Sequence, residues 1–285
     1  IGSGIFALPA TAAAIIGPRA IYAYLVCGAA LALVLLCFAE LGSTTTRSGG
    51  AYAYIARAFG PFWGFLAGVL LWFGFGVMSD AAIAAAMADT LAGPFPVLQG
   101  AWPRALVIAA YLAFAMTVNV RGAQGGARMA VGLTLVKLAP LVLLVAASLP
   151  RWSVPVLTGG GLPAWHELGS ASLLLFFAFS GAEASLSNGA EIQDVRRTVP
   201  RGIMLGCAGI VLVYLSVHVA AQSILGDTLA SAGTTPLATA AAVVLGPAGR
   251  SVLVIGAAVS MASTLAGDLL ATPRALFATA EDGHL

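Results

Sequence analysis

The chain of 285 residues is 60% hydrophobic and only 8% charged, with a formal net charge of +2 and a mean hydropathy of +0.98. Soluble domains carry about 25% charged residues, so so few charges could not keep a globular surface wet and most of the chain must meet lipid. The small net charge sits on scattered single basic residues, which argues against a nucleic-acid partner, and Cys27, Cys37 and Cys207 lie singly in apolar runs with no disulfide framework or metal-ligand spacing.

In chain order, the sequence opens inside a glycine-broken apolar segment, Ile1-Gly2-Ser3-Gly4-Ile5-Phe6, whose run from Gly4 to Ile16 is too short to cross a bilayer as a helix. The expectation is that an upstream half of this first helix precedes the sequence. Further spans are predicted over 21–44, 62–91, 104–120, 129–149, 168–189, 202–225 and 250–277. Glycine and proline punctuate the connections, as at Gly17-Pro18, Gly60-Pro61, Gly93-Pro94 and Gly246-Pro247. A second break falls in the sixth span, at Phe177-Ala178-Phe179-Ser180-Gly181-Ala182-Glu183. The predicted fold is therefore an all-α polytopic membrane protein.

Assigning the connections to alternate sides puts eight arginines on one side, four on the other, and Lys137 within a span. The positive-inside rule makes the eight cytoplasmic, so the first helix runs outward.

Four ordered motifs carry a resemblance. They are Gly2 to Phe6 followed by Pro9; Ala39-Glu40-Leu41-Gly42-Ser43 with Ser48 to Tyr54 and Phe59-Gly60-Pro61; Phe176 to Glu183 continuing to Arg197-Thr198-Val199-Pro200-Arg201; and Pro273-Arg274 to Asp282-Gly283. Together they resemble the amino acid-polyamine-organocation superfamily of permeases, over nearly the whole chain. The resemblance implies two inverted five-helix repeats of the LeuT-like kind, with the first and sixth helices broken. The first repeat would cover 1–149, an outer loop 150–166, and the start of the second repeat 167–285. Thr46 and Asp194-Val195 depart from the family's usual loop prolines, which bears on subfamily rather than fold.

Lipid cannot hydrogen-bond a bare backbone, so unwound segments survive only around a polar cavity, where a ligand supplies the missing partners. Amides of Ser3, Gly4 and Ile5, at the positive end of a half-helix, would attract a carboxylate. Carbonyls around Phe177, Ala178, Phe179 and Ser180, before the hinge at Gly181, would accept from an ammonium group. An anion end beside a cation end describes an amino acid backbone. The alternative is that Gly2 and Gly4 only permit close helix packing.

By resemblance, Phe177 stands where an aromatic side chain gates the substrate, Phe179 continues that lip, and Gly74 and Ser79 fall where the side-chain pocket is lined. Ionisable groups inside a membrane are functional candidates by default. Lys137, in the fifth span, is either a proton-coupling group standing where sodium-coupled relatives of the fold hold sodium, or a fixed counter-ion. Glu183 either pairs with a proton or cationic group, or caps the following half-helix. Asp80 either favours a cationic substrate group or pairs elsewhere in the bundle, and Asp268, one and a half turns before Arg274, reads as its partner near the cytoplasmic face. His218 reads as a satisfied packing residue, with a relay as the alternative, and Arg201 as a cytoplasmic gate residue.

No catalytic triad order, His-Glu-x-x-His cluster or phosphate loop occurs in the sequence, and no enzyme, cofactor or metal is implied. The expected function is secondary active transport of an amino acid or amine by alternating access, with proton symport first and exchange against a counter-substrate as the alternative. A non-transporting nutrient receptor of the same fold stays open. The expected partners are that small molecule, protons or counter-substrate, and the lipid of a bacterial inner membrane; oligomeric state is not encoded.

Overall fold

The computed structural model describes residues 2–44, 50–153, 161–179, 181 and 194–283. Among these, every regular element is helical. A 3₁₀ turn, Ser3–Phe6, leads into α1, Leu8–Ile16. The chain reverses at Gly17 (φ 65°) and Pro18, then runs through α2, Ala20–Thr44. Among the described residues, six stretches are long and apolar enough to cross a membrane: Leu8–Leu41, which contains that reversal, then Pro61–Ala92, Ala101–Val120, Gln124–Arg151, Arg196–Ser231 and Pro236–Glu281.

The remaining helices follow the sequence's punctuation. A short amphipathic helix, α3, covers Ala51–Phe59, inside what reads from sequence as a cytoplasmic loop. Gly60, at φ 96°, breaks it, and Pro61 occupies the first position of α4, Pro61–Ala92, where a missing N–H costs nothing. The middle of α4, Leu70–Ser79, is wound as π-helix. Then come α5, Ala101–Val120, and α6, Ala123–Ser148, with Pro140 inside it. α7, Trp165–Phe179, ends at the second predicted break, where Gly181 has φ 104°. α8 is Val195–Leu225. α9, Pro236–Glu281, bends at Gly246 (φ 70°), so the predicted last span gains a leading helical segment. On the resemblance noted above, α1, α2, α4, α5, α6, α7, α8 and α9 would stand as the first to eighth helices.

The chain divides into two compact units. One comprises 1–31, 133–180 and 207–260, the other 32–132, 181–206 and 261–285. In the first unit α1 packs on α7 and on the turn Gly226–Ser231, and the Ser3–Phe6 turn packs on α7. Ile5, Ile16, Tyr24, Leu141, Leu144, Leu175 and Tyr214 are fully buried there. At the end of α1, Arg19 pairs with Glu167 of α7 at 3.5 Å, half-exposed and worth at most ~1 kcal/mol.

In the second unit α3 is held by its two tyrosines. Tyr54 packs on Phe38, Val199 and Ile203, while the Tyr52 hydroxyl donates to Asp282 at 2.8 Å. Gly64 and Gly68 of α4 give the room: a Cβ at Gly64 would lie 2.4 Å from that of Ala56, and one at Gly68 would lie 3.1 Å from the Tyr52 ring. Large apolar side chains on α5, Trp102, Leu106, Phe114 and Met116, are exposed, as a lipid-facing helix requires.

Candidate functional site

The Ser3–Phe6 turn and the end of α7 at Ala178 and Phe179 lie in the first unit and meet there, while Gly181 belongs to the second. Gly4 makes the approach possible: a Cβ on it would stand 3.3 Å from the Ala178 Cβ and 3.0 Å from a Leu8 methyl. Gly2 is extended (φ −89°, ψ −173°) and leads into the 3₁₀ turn. A 3₁₀ turn leaves the leading N–H groups of Ser3 and Gly4 without an acceptor inside the turn, whereas the Ile5 N–H is placed to donate to the Gly2 carbonyl three residues back. The Ile5 side chain itself is fully buried.

One side chain ties the two breaks together. Gly2 N–H donates to the Tyr214 hydroxyl at 3.3 Å, and that hydroxyl donates to the carbonyl of Ala178 at 2.8 Å. Tyr214, on α8, is 0% exposed, so in this apolar interior its hydroxyl is an obligatory partner for both backbones. On the other side of Gly2, the Ser260 hydroxyl of α9 donates to its carbonyl at 3.2 Å. The Ala178 carbonyl, expected from sequence to face an ammonium group, thus already accepts one hydrogen bond and keeps its second lone pair.

Phe179 is 2% exposed and sits edge-on to Tyr214 at 4.9 Å, with Tyr24 at 6.4 Å. It buttresses the bridging tyrosine rather than standing at an open lip. The side chains of Ser3 and Phe177, and the whole of Ser180 and Glu183, lie outside the described residues.

α6 and α9 converge on the first break. A Cβ at Gly256 would lie 2.6 Å from the Pro140 ring and 3.8 Å from Phe6. Lys137, one turn before Pro140, is 2% exposed. His218, one turn after Tyr214, departs from its expected satisfied state: it is buried, and among the described residues neither ring nitrogen has a hydrogen-bond partner.

In the second unit, Gly74 and Ser79 both fall within the π-helical stretch Leu70–Ser79. Turns of that kind recur at functional sites. A Cβ at Gly74 would meet nothing within 4 Å, whereas one at Gly76 would lie 2.5 Å from Thr272 of α9. One turn further along both helices, the buried carboxyl of Asp80 faces Asp268. Arg201 is exposed on the early turns of α8.

The family model for amino acid permeases matches residues 1–285. The chain belongs to the amino acid permease family. Uncharacterized transporters of Mycobacterium bovis and Mycobacterium tuberculosis are 34% identical to it over 294 residues, covering 100% of this chain and 63% of theirs. A serine/threonine exchanger of Bacillus subtilis is 27% identical over 289 residues, covering 100% of this chain and 66% of its own. A cadaverine/lysine antiporter of Escherichia coli is 28% identical over 260 residues, covering 86% of this chain and 56% of its own. The permease chain therefore spans 63% of the length of its mycobacterial relatives. The family and these relatives are transporters, and the chain is an integral membrane protein.

Reading the sequence missed Tyr214 as the bridge of this permease's two breaks. The available signal was Tyr214, His218 and Gln222, spaced four apart along one face of an otherwise apolar helix. Tyr52 and Asp282 were quoted only as parts of separate motifs, and their hydrogen bond was not foreseen.

Proposed function

We propose that the full-length protein carries amino acids across a bacterial inner membrane by alternating access around a site at the two helix breaks, within a pair of inverted repeats. The observation that carries this reading is the Tyr214 hydroxyl, which joins Gly2 to Ala178. It supports a common polar locus for two helices whose backbones would otherwise be unpaired in lipid.

At that locus the substrate carboxylate would take the amides of Ser3 and Gly4, favoured by the dipole of α1. The ammonium would take the remaining acceptor capacity at Ala178 and the neighbouring carbonyls, Ser180 included. Phe177 would close over the bound molecule, and Gly181 would supply the hinge.

Lys137 would supply coupling. Its place one turn from Pro140, which packs against Gly256 beside Phe6, supports a role at the first break. A buried ammonium in an apolar bundle is a charge whose presence must be balanced in each state of the carrier. Glu183 and Arg201 would act at the inner half, as a proton or amine partner and as a gate.

Two driving forces fit: a proton gradient, or a counter-transported amino acid or amine. Exchange is favoured by the Bacillus and Escherichia relatives, a serine/threonine exchanger and a cadaverine/lysine antiporter. The test is uptake of a labelled amino acid mixture by the full-length protein in liposomes, with an inward proton gradient, with vesicles preloaded with unlabelled amino acids, and with neither. Uptake raised by the gradient gives symport, and uptake only on preloading gives exchange. Binding without flux in any arm refutes transport and leaves a receptor.

A further inference from the structure

The first unit holds a second polar locus that the substrate site does not use. The imidazole of His218 is 1% exposed and packs on the Tyr24 ring at 4.9 Å. Among the described residues, the Tyr24 hydroxyl, both nitrogens of His218, the Ser172 hydroxyl and the Gln222 side-chain oxygen are buried without a hydrogen-bond partner.

These atoms come from three helices, α2, α7 and α8, and they are connected. Tyr24 touches His218. Cys27, one turn past Tyr24, donates through its thiol to the Ser172 carbonyl at 3.1 Å. The Gln222 amide nitrogen donates to the Gly226 carbonyl at 3.1 Å. Tyr214, one turn before His218, holds both helix breaks.

Buried polar groups in folded proteins are paired, with protein or with water. So many unpaired atoms on facing helices make a place that water would satisfy once it reached α8, and the imidazole could then take a proton from that water. The titratable groups around it are Tyr24 and Cys27 of α2 and Tyr214 of its own helix, none of which carries a formal charge at neutral pH.

We propose that His218 is a proton-binding site of the carrier, set behind the two broken segments, and that its charge state acts on the substrate site through Tyr214. A charged imidazole needs hydration or a counter-charge, which the dry packing against Tyr24 does not offer. Protonation therefore favours an arrangement in which water reaches α8. A proton shifts a conformational equilibrium by its difference in affinity between the two arrangements and by nothing else. Here that difference is the access of water to one ring. Because Tyr214 lies on the next turn of the same helix, a movement that hydrates His218 also moves the hydroxyl holding Gly2 and Ala178. His218 is thus a positioning residue and touches no substrate.

This rests on the transport reading, and its test separates the two. The full-length protein in liposomes is assayed for uptake of a labelled amino acid mixture at matched inner and outer pH, from about pH 5 to about pH 8, where imidazole titrates. Wild type is expected to change its initial rate by roughly tenfold across that window. His218→Gln keeps a donor and an acceptor but cannot titrate, and its profile is expected to be flat within about twofold. His218→Phe removes the unpaired nitrogens while keeping a ring against Tyr24. It is expected to melt no lower than wild type and to be equally flat. A wild-type profile retained in either variant overturns the proposal, as does a flat profile in wild type. If wild type shows no uptake at any pH, the transport reading fails and this inference falls with it.

Discussion

Replacing Tyr214 by phenylalanine removes one oxygen and tests the candidate site directly. That oxygen accepts from Gly2 N–H at 3.3 Å and its proton goes to the Ala178 carbonyl at 2.8 Å. Each hydrogen bond contributes roughly 1 kcal/mol net, and a buried backbone group left without a partner costs roughly 1–3 kcal/mol. The substitution should therefore cost about 2–4 kcal/mol where the two breaks meet. The ring would keep its contact with Phe179, 4.9 Å away, so apolar burial is retained. The penalty falls on the relative placement of Gly2 and Ala178. If about 2 kcal/mol of it is lost from the substrate-bound arrangement, apparent affinity drops about 30-fold. Initial uptake rates in liposomes across a substrate series read this as a raised KM. Melting in detergent should fall by roughly 4–16 °C, at about 2–4 °C per kcal/mol for a domain of this size. Wild-type KM in the phenylalanine variant would refute the argument, because the hydroxyl would then be a bystander to binding.

Four further outcomes follow from the same geometry. Gly4→Val should reduce uptake at least tenfold, since even a Cβ would stand 3.3 Å from that of Ala178 and overpacking of this kind costs roughly 1–3 kcal/mol; uptake assays read it. Gly256→Ala should lower the melting temperature measurably, because its Cβ would lie 2.6 Å from the Pro140 ring, which cannot rotate away. Lys137→Ala should abolish the response of uptake to a pH gradient, and an unchanged response would end its coupling role. Asp89→Ala should alter stability by less than ~1 kcal/mol, although Asp89 meets Arg104 at 3.0 Å, because both side chains are largely exposed; chemical denaturation measures it.

What was legible in the sequence is what the solvent dictates. Lipid forces long apolar helices, and glycine with proline must stand where the chain leaves them. α2, α5 and α6 accordingly start and stop close to the predicted spans. The breaks were legible for the same reason, since Gly2, Gly4 and Gly181 are marks that only an unwound or closely packed backbone needs. α3 was hidden because its nine residues are too few and too polar to register as a span. The first turns of α9 were hidden because Gly246-Pro247 reads as a loop, whereas in the structure it is a bend between helical segments.

The partners of the breaks were not legible, and the reason is physical. A backbone donor or acceptor leaves no trace in composition, so nothing in Gly2 or Ala178 names the group that satisfies it. Tyr214 is spelled the same whether its hydroxyl bridges two helices or its ring only packs. The distinction lies in sequence separation: Gly2 and Tyr214 are 212 positions apart and Ala178 and Tyr214 are 36 apart. A single oxygen at both distances can be fixed only after α1, α7 and α8 have packed. It follows that the tyrosine cannot direct the formation of the helices. It acts once they are assembled, and its loss should then tell on how the carrier binds and moves substrate more than on whether it folds.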